Sequence, residues 1–288
     1  MSVLIPNRMN HVKQNGAIYL VVLVSQADTS RKEHLITIQL PSVSLITPTL
    51  LLPERIPYLL ELQNSVHAAA EGLDLEWVIV IDGGEGELPE SIAIDPLVKI
   101  VQLPKTLGLA SARNYGLDAV TKEWVATVDD DDLLPKDSIT RRLSAAVDIG
   151  VTWAAGYLAD LEADGSLHVW DHPAKPGVFL AGEVLNLWGT PEGTFPFAPN
   201  TFMSEVEVLR EVGGWQGIYQ GEDFGMVMAI TGQRDGIMVY ETVYEYRKHD
   251  GQWTRSPDFP FFESTIRRVT FERGRLVAEP KKRVRNYR

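Results

Sequence analysis

Four consecutive aspartates, Asp129 to Asp132, are the residues of this chain best suited to chemistry. They follow a short apolar run, Trp124 to Val128 (WVATV), and alternation along a strand end would send Asp129 and Asp131 to the same side. Two carboxylates so placed make a hard oxygen site that suits Mg²⁺ or Mn²⁺, and such an ion can bridge a diphosphate. The plainer reading is a solvated acidic turn, with Asp132 or Asp137 capping a helix expected from Pro135 to Val147. A second acidic pair, Glu222-Asp223, follows Gly221 and opens an expected helix, where the dipole and free N–H groups favour ionised carboxylates. Asp82 ends another apolar run (WVIVI, Trp77 to Ile81), and turn formation before Gly83-Gly84 accounts for it equally well. Arg113 lies on an expected helix, and His249 stands in a loop with Asp250, Gln252, Trp253 and Arg255. Taken singly, both read as surface residues.

The elements that must position these groups alternate along the chain. Ser42 to Thr47 is a β-rich run, followed by a helical stretch with Pro57 in its first turn and Leu59, Leu62, Val66 and Ala69 on one face. Strands are expected at Trp77 to Ile81, Val98 to Leu103 and Trp124 to Val128, with a helix at Leu109 to Val120. Continuous apolar strands alternating with helices predict a mostly parallel sheet covered on both faces, with ligands beyond the carboxyl ends of its strands. After residue 150 the character changes. Val151 to Leu161 and Leu167 to Trp170 read as a hairpin turning at Ala163-Asp164-Gly165. Asp171 to Asn200 is rich in proline and reads as irregular. A helix capped by Ser204, a helix from Glu222 to Thr231 and a strand from Gly236 to Tyr246 follow.

In this order the segments resemble glycosyltransferase family 2, whose catalytic domain has the GT-A fold. The resemblance is carried by Val43 to Thr49 (VSLITPT), Val78 to Gly83 (VIVIDG), Gly108 to Leu117 (GLASARNYGL), Trp124 to Pro135 (WVATVDDDDLLP) and Gly213-Gly214-Trp215 with Gly221-Glu222-Asp223. It implies an α/β GT-A domain over residues 43–250, with an acceptor half after residue 150. It also implies a metal-dependent transfer of a sugar from a nucleotide diphosphate, UDP being usual, with inversion. By position, Pro48 and Thr49 would edge the nucleotide base, and Asp82 would hydrogen-bond it. Arg113 would face the base or diphosphate. Asp129 and its neighbour Asp130 would lie on the donor, and Asp131 would be the principal ligand of Mn²⁺ or Mg²⁺. His249 would complete the metal site. Asp223 would be the base that deprotonates the acceptor, Glu222 would bind the acceptor or support the base, and Trp215 and Trp188 would stack on the acceptor sugar. The second strand ends in Asp82-Gly83-Gly84 rather than in paired aspartates, and residues 1–42 have no counterpart in the family's core.

The totals narrow the partners. A net charge of −12 over 288 residues argues against nonspecific binding to nucleic acid or to an anionic membrane. The absence of cysteine excludes disulfides and thiolate zinc sites. No apolar run reaches the length of a membrane span. Ala17 to Val24 loosely imitates a signal peptide but is short for one and reads as a strand, so cytoplasm is the default, with a membrane-peripheral position as the variant. Residues 251–288 end in a basic tail expected to fold back or lie solvated. The acceptor is a sugar, a lipid-linked sugar, a protein or a small molecule, and a homo-oligomer is open. Two rival readings are a nucleotidyltransferase, disfavoured by Thr47-Pro48-Thr49-Leu50 where a phosphate loop should be, and an inactive nucleotide-sugar-binding module.

Overall fold

The computed structural model describes residues 10–14, 17–24, 34–257 and 259–278. Strands β1 (Asn10–Gln14), β2 (Ala17–Val24) and β3 (His34–Gln39) form a separate antiparallel sheet, so the Ala17 run is a strand. The main sheet begins at β4 (Val43–Thr49), which is buried along its whole length. It lies parallel between β5 (Leu75–Ile81) and β7 (Trp124–Thr127), and β6 (Val98–Gln102) extends the sheet beyond β5. A strand with parallel neighbours on both edges and helices on both faces has no polar side, which is why Trp77 to Ile81 reads as an unbroken apolar run.

Alternation splits that run between two cores. Leu45 joins Trp77, Ile79 and Leu62 of α1 (Ile56–Ala69) on one face, while Ile46 joins Val78, Val80 and Leu117 of α3 (Leu109–Ala119) on the other. The short α2 (Glu90–Ala93) precedes β6. Helix α4 (Ser138–Ile149) covers the first core with Ile139 and Leu143. The part of the chain after residue 150 continues the same sheet. β8 (Trp153–Leu161) runs parallel to the long β12 (Gly236–Arg247), and the short β9 (Leu167–Val169), β10 (Gly177–Phe179) and β11 (Met203–Glu205) pair antiparallel. Helices α5 (Glu183–Trp188), α6 (Val206–Glu211), α7 (Glu222–Thr231) and α8 (Phe259–Ala278) complete the fold, with α7 against α8.

Several boundaries differ from expectation. Ser204 lies inside β11, pairing with Val125 and Trp153, so it caps nothing and α6 starts after Glu205. The Pro135 helix begins only at Ser138, and neither Asp132 nor Asp137 caps it with a side-chain bond. The proline-rich Asp171 to Asn200 segment contains β10 and α5. The start of the basic tail belongs to α8, and residues 279–288 lie outside the described residues.

Helix α3 approaches the sheet unusually closely. A Cβ on Gly116 would stand 2.6 Å from Ile46 Cγ2 and 3.1 Å from Val80 Cγ2, so glycine sets the depth of the helix that carries Arg113. Gly116→Ala is expected to destabilise the fold by about 1–3 kcal/mol through overpacking, read as a shifted denaturation midpoint at constant slope.

Candidate active site

The carboxyl ends of β4, β5, β7, β8 and β12 share one edge of the sheet, and the candidate groups gather there. Strand β7 stops at Thr127, and the aspartates form a turn closed by the Asp132 N–H on the Asp129 carbonyl at 3.2 Å. The expectation that Asp129 and Asp131 share a side by strand alternation is therefore replaced by a turn that sends each carboxylate elsewhere. Asp132 points inward. It accepts the Tyr244 hydroxyl at 2.8 Å and the Arg247 main-chain N–H at 2.9 Å, and Leu133 pairs with Glu245 through two main-chain bonds of 3.0 Å. Burial, then the charges of Asp131 and Asp129, push its carboxyl well above the ordinary range. Asp132 thus pins the turn to the last strand.

The other three carboxylates face outward. Asp129 receives Arg113 Nη2 at 2.8 Å, with Asn200 Nδ2 at 3.5 Å. Asp130 receives the Thr49 hydroxyl at 2.6 Å and Arg55 Nη1 at 3.4 Å, and burial raises its carboxyl to about 6. Asp131 holds the Arg55 guanidinium and His249 Nε2, the latter at 2.8 Å. His249 Nδ1 accepts the Gly251 N–H, which leaves the ring proton on Nε2 to donate to Asp131. Arg55 also donates to the Gly251 carbonyl at 3.3 Å, so one guanidinium joins the segment after β4, the aspartate turn and the loop after β12.

The acidic pair on α7 is joined to the turn by Arg113. Its guanidinium, 3% exposed, spans from Asp129 to the carboxylate of Glu222. Burial raises the Glu222 carboxyl to about 7, with the charge of Asp223 adding to the rise and Arg113 opposing it. Asp223 is part-exposed, and its Oδ1 accepts the Phe224 N–H at 2.7 Å. Its carboxyl is also raised, burial first, against the pull of Arg113. No other side chain bonds to Asp223 among the described residues.

Asp82 is engaged from both oxygens. It accepts the N–H groups of Leu107 and Gly108 at 2.7 and 2.9 Å, closing the loop that starts α3. Gly83, at φ +72°, lets this loop come down, since a Cβ there would overlap the backbone of Lys105 and Thr106. Pro48 and Thr49 end β4 beside it, both buried. The two tryptophans are each 3% exposed. Trp188 stands between Phe195 and Phe271, and Trp215 is fixed by reciprocal bonds between its main chain and the Asn114 amide. Both rings are core here, which replaces the open stacking faces expected from sequence.

Sequence reasoning missed Arg55, Asn200, Tyr244, Arg247 and Arg142. Arg142 is buried without a carboxylate, donates to the carbonyls of Thr201 and Ser138 at 2.7 and 3.1 Å, and so braces the turn that carries Asn200. An arginine on a helix carries no signal for such a role. Tyr244 lies in the expected strand, where alternation puts it inward without revealing its partner, and Arg247 lies one residue past the expected end, inside the observed β12.

Removing Arg113 tests the bridge. Arg113→Met leaves Asp129 and Glu222 facing one another without a cation and is expected to cost about 3–5 kcal/mol. Glu222 has a raised folded-state pKa, so its protonated form supports the fold at low pH and that support is lost as pH rises through about 7. The penalty should therefore be smaller below that titration than above it, as measured by urea denaturation on both sides.

Comparison with known proteins follows this geometry. A sequence model described as glycosyl transferase family 2 matches residues 44–194. The chain is 32% identical over 99 residues to succinoglycan biosynthesis protein ExoO of Rhizobium meliloti (strain 1021), covering 34% of this chain and 28% of that protein. It is 29% identical over 109 residues to TuaG of Bacillus subtilis (strain 168), a protein provisionally named for teichuronic acid biosynthesis, covering 36% of this chain and 41% of TuaG. The alignments thus span less than half the length of either relative. The structure of S. aureus TarS 1-349 in complex with UDP-GlcNAc superposes with a TM-score of 0.57 at 18% identity, over 80% of this chain and 66% of that one. That likeness shows a shared fold, an α/β arrangement around a mostly parallel sheet. With more than half its length matched by the family model, the chain belongs to glycosyl transferase family 2.

Proposed function

We propose that the chain transfers a sugar from a nucleotide diphosphate, UDP in the first instance, to an acceptor hydroxyl with inversion, over a GT-A domain spanning residues 43–250. One observation carries this reading above others: Arg113 locks the aspartate turn to Glu222, so a donor-side carboxylate and the acidic pair opening α7 are held together by one guanidinium. Solved TarS in complex with UDP and with UDP-GlcNAc supports the choice of nucleotide. In this reading Pro48 and Thr49 edge the nucleotide base and Asp82 hydrogen-bonds it.

Asp223 is the proposed base. The acceptor oxygen forms its bond to the anomeric carbon as Asp223 takes the hydroxyl proton, and the bond from that carbon to the diphosphate oxygen breaks, the electron pair leaving with the diphosphate. Glu222, held by Arg113, keeps the start of α7 in register rather than moving the proton. A divalent cation, when bound, would offset the charge on the departing diphosphate. Asp131 and His249 fit such an ion, being a hard oxygen and an imidazole 2.8 Å apart, with Arg55 the cation now on that same carboxylate. Among the described residues no cluster of three His, Asp or Glu makes a complete cage, so diphosphate and water oxygens would supply the other positions. The nucleotidyltransferase alternative is not favoured by the edge of β4, where Thr49 is spent on Asp130 and on the Leu51 N–H.

A panel of nucleotide sugars with Mn²⁺, read as released nucleotide diphosphate, tests the reaction. One donor should be turned over, and Asp223→Asn should lower kcat by about 10²–10⁴-fold while UDP still binds. No turnover and no metal-dependent nucleotide binding by the unaltered chain would remove the transferase reading and favour an inactive module.

The pH profile gives an independent check. Asp223 must be ionised to act, and its pKa is raised, so kcat/KM should fall on the acid side at a pH above the ordinary aspartate value of 3.8. An acid limb at or below that value would show that a different group takes the proton.

A further inference from the structure

One oxygen of Asp131 serves two partners. Its Oδ2 receives both Arg55 Nη1 and His249 Nε2, so the oxygen that a divalent cation would share with the imidazole already holds a guanidinium. Arg55 stands just before α1, in the segment that follows β4, and its remaining contacts are long. It reaches Asp130 Oδ1 at 3.4 Å and the Gly251 carbonyl at 3.3 Å. Its side chain is 16% exposed against 4% for Arg113, so water competes for it as it does not for the buried arginine.

The elements around Arg55 are joined without it. Arg247 donates through Nε to the Asp131 carbonyl at 2.7 Å and through Nη2 to Glu61 at 2.5 Å. The same guanidinium lies 4.6 Å over the Tyr58 ring, and Tyr58 meets the His249 ring at 5.3 Å between centroids. These contacts tie α1, the aspartate turn and the loop after β12 together, and none of them uses the Asp130 or Asp131 carboxylate. Arg55 is therefore free to leave Asp131 while its surroundings stay in place. Charge supplies the reason to leave. A divalent cation on Asp131 would repel a guanidinium there, and a diphosphate offers oxygens that the planar fork meets with two parallel bonds.

We propose that Arg55 is an exchangeable counter-cation: it neutralises Asp131 in the resting chain and passes to the donor's diphosphate oxygens, giving up the carboxylate to a divalent cation. The inference rests on the transferase reading above and deepens it by naming the residue that couples the two binding events. Arg55 keeps the affinity for a cation alone low and lets it rise once a nucleotide diphosphate is present. By reciprocity the cation strengthens nucleotide binding by the same factor. A fixed structural brace at this position predicts otherwise, since its loss would weaken both ligands and leave their mutual enhancement as it was.

The test is Mn²⁺ binding to the full chain, read from the paramagnetic resonance signal of free Mn²⁺ with and without UDP and corrected by a protein-free blank. UDP binding is followed by calorimetry with and without Mn²⁺. Each ligand should strengthen the other in the unaltered chain. Arg55→Gln keeps a donor for the Gly251 carbonyl and removes the charge. It should tighten Mn²⁺ alone about five-fold, the value of one part-exposed ion pair, weaken UDP, and shrink the mutual enhancement. Arg55→Lys restores the charge without the fork, so Mn²⁺ alone should again bind weakly and the enhancement should return only in part. Mn²⁺ binding that is unchanged or weaker in Arg55→Gln, or an enhancement equal to that of the unaltered chain, overturns the exchange. Should Arg55→Gln melt early, Arg55→Lys decides, because a full enhancement without the fork also overturns it. An unaltered chain that binds UDP equally with and without Mn²⁺ loses only this inference. One that binds no UDP under either condition loses the transferase reading as well.

Discussion

The site is organised around a cation that cannot leave. Arg113 sits in a nearly closed space between Asp129 and Glu222, and a guanidinium stripped of water there is tolerable only while both carboxylates face it. The need runs in both directions, because Asp129 and Glu222 come from distant segments and would repel one another without it. Its planar fork meets one partner with each terminal nitrogen, which a lysine could not do from a single point charge. Much of the surrounding architecture serves this arrangement. Gly116 sets the depth of α3, Asp82 closes the loop that starts it, and Asn114 holds the Gly214-Trp215 segment that leads towards α7.

A second cation, Arg55, works at the opposite side of the turn under different conditions. It is part-exposed and shared among Asp130, Asp131 and a main-chain carbonyl, so its ion pairs are weaker and exchangeable. One arginine fixes the acidic centre to the protein and the other lies on the carboxylate where an incoming cation would compete. Between them the four aspartates have four distinct duties, although nothing in a run of identical letters separates them.

That difference marks how far the residues alone could lead. Strands buried on both faces announce themselves as apolar runs, so the mostly parallel sheet and the helix faces at Leu59, Leu62 and Val66 were legible. The gathering of Asp82 and Asp129 to Asp132 at one edge was legible too, from the rule that ligands meet the carboxyl ends of parallel strands, whereas Glu222-Asp223 joined them only through the family resemblance. The direction of each aspartate was not, because β7 ends two residues before Asp129 and turn geometry replaces alternation. Trp188 and Trp215 carry the same letters whether they line a cleft or fill a core, and only the Phe195 and Phe271 contacts and the Asn114 bonds decide. Arg142 and Arg55 depend on partners far away in the chain, at Thr201 and Asp131, which no local pattern records.

The attachment of Asp132 to β12 has a bearing on how the protein is made. The Arg247 N–H that holds this carboxylate lies 115 residues further along the chain, and Tyr244 lies 112 further. Contacts of such separation carry a large loop-closure cost and form late. During synthesis the parallel strands around β4 can assemble while the aspartate turn still lacks its inner anchor. The acidic centre acquires its shape only when the last long strand arrives, so a chain released early would be folded in part and its aspartate turn would be unanchored.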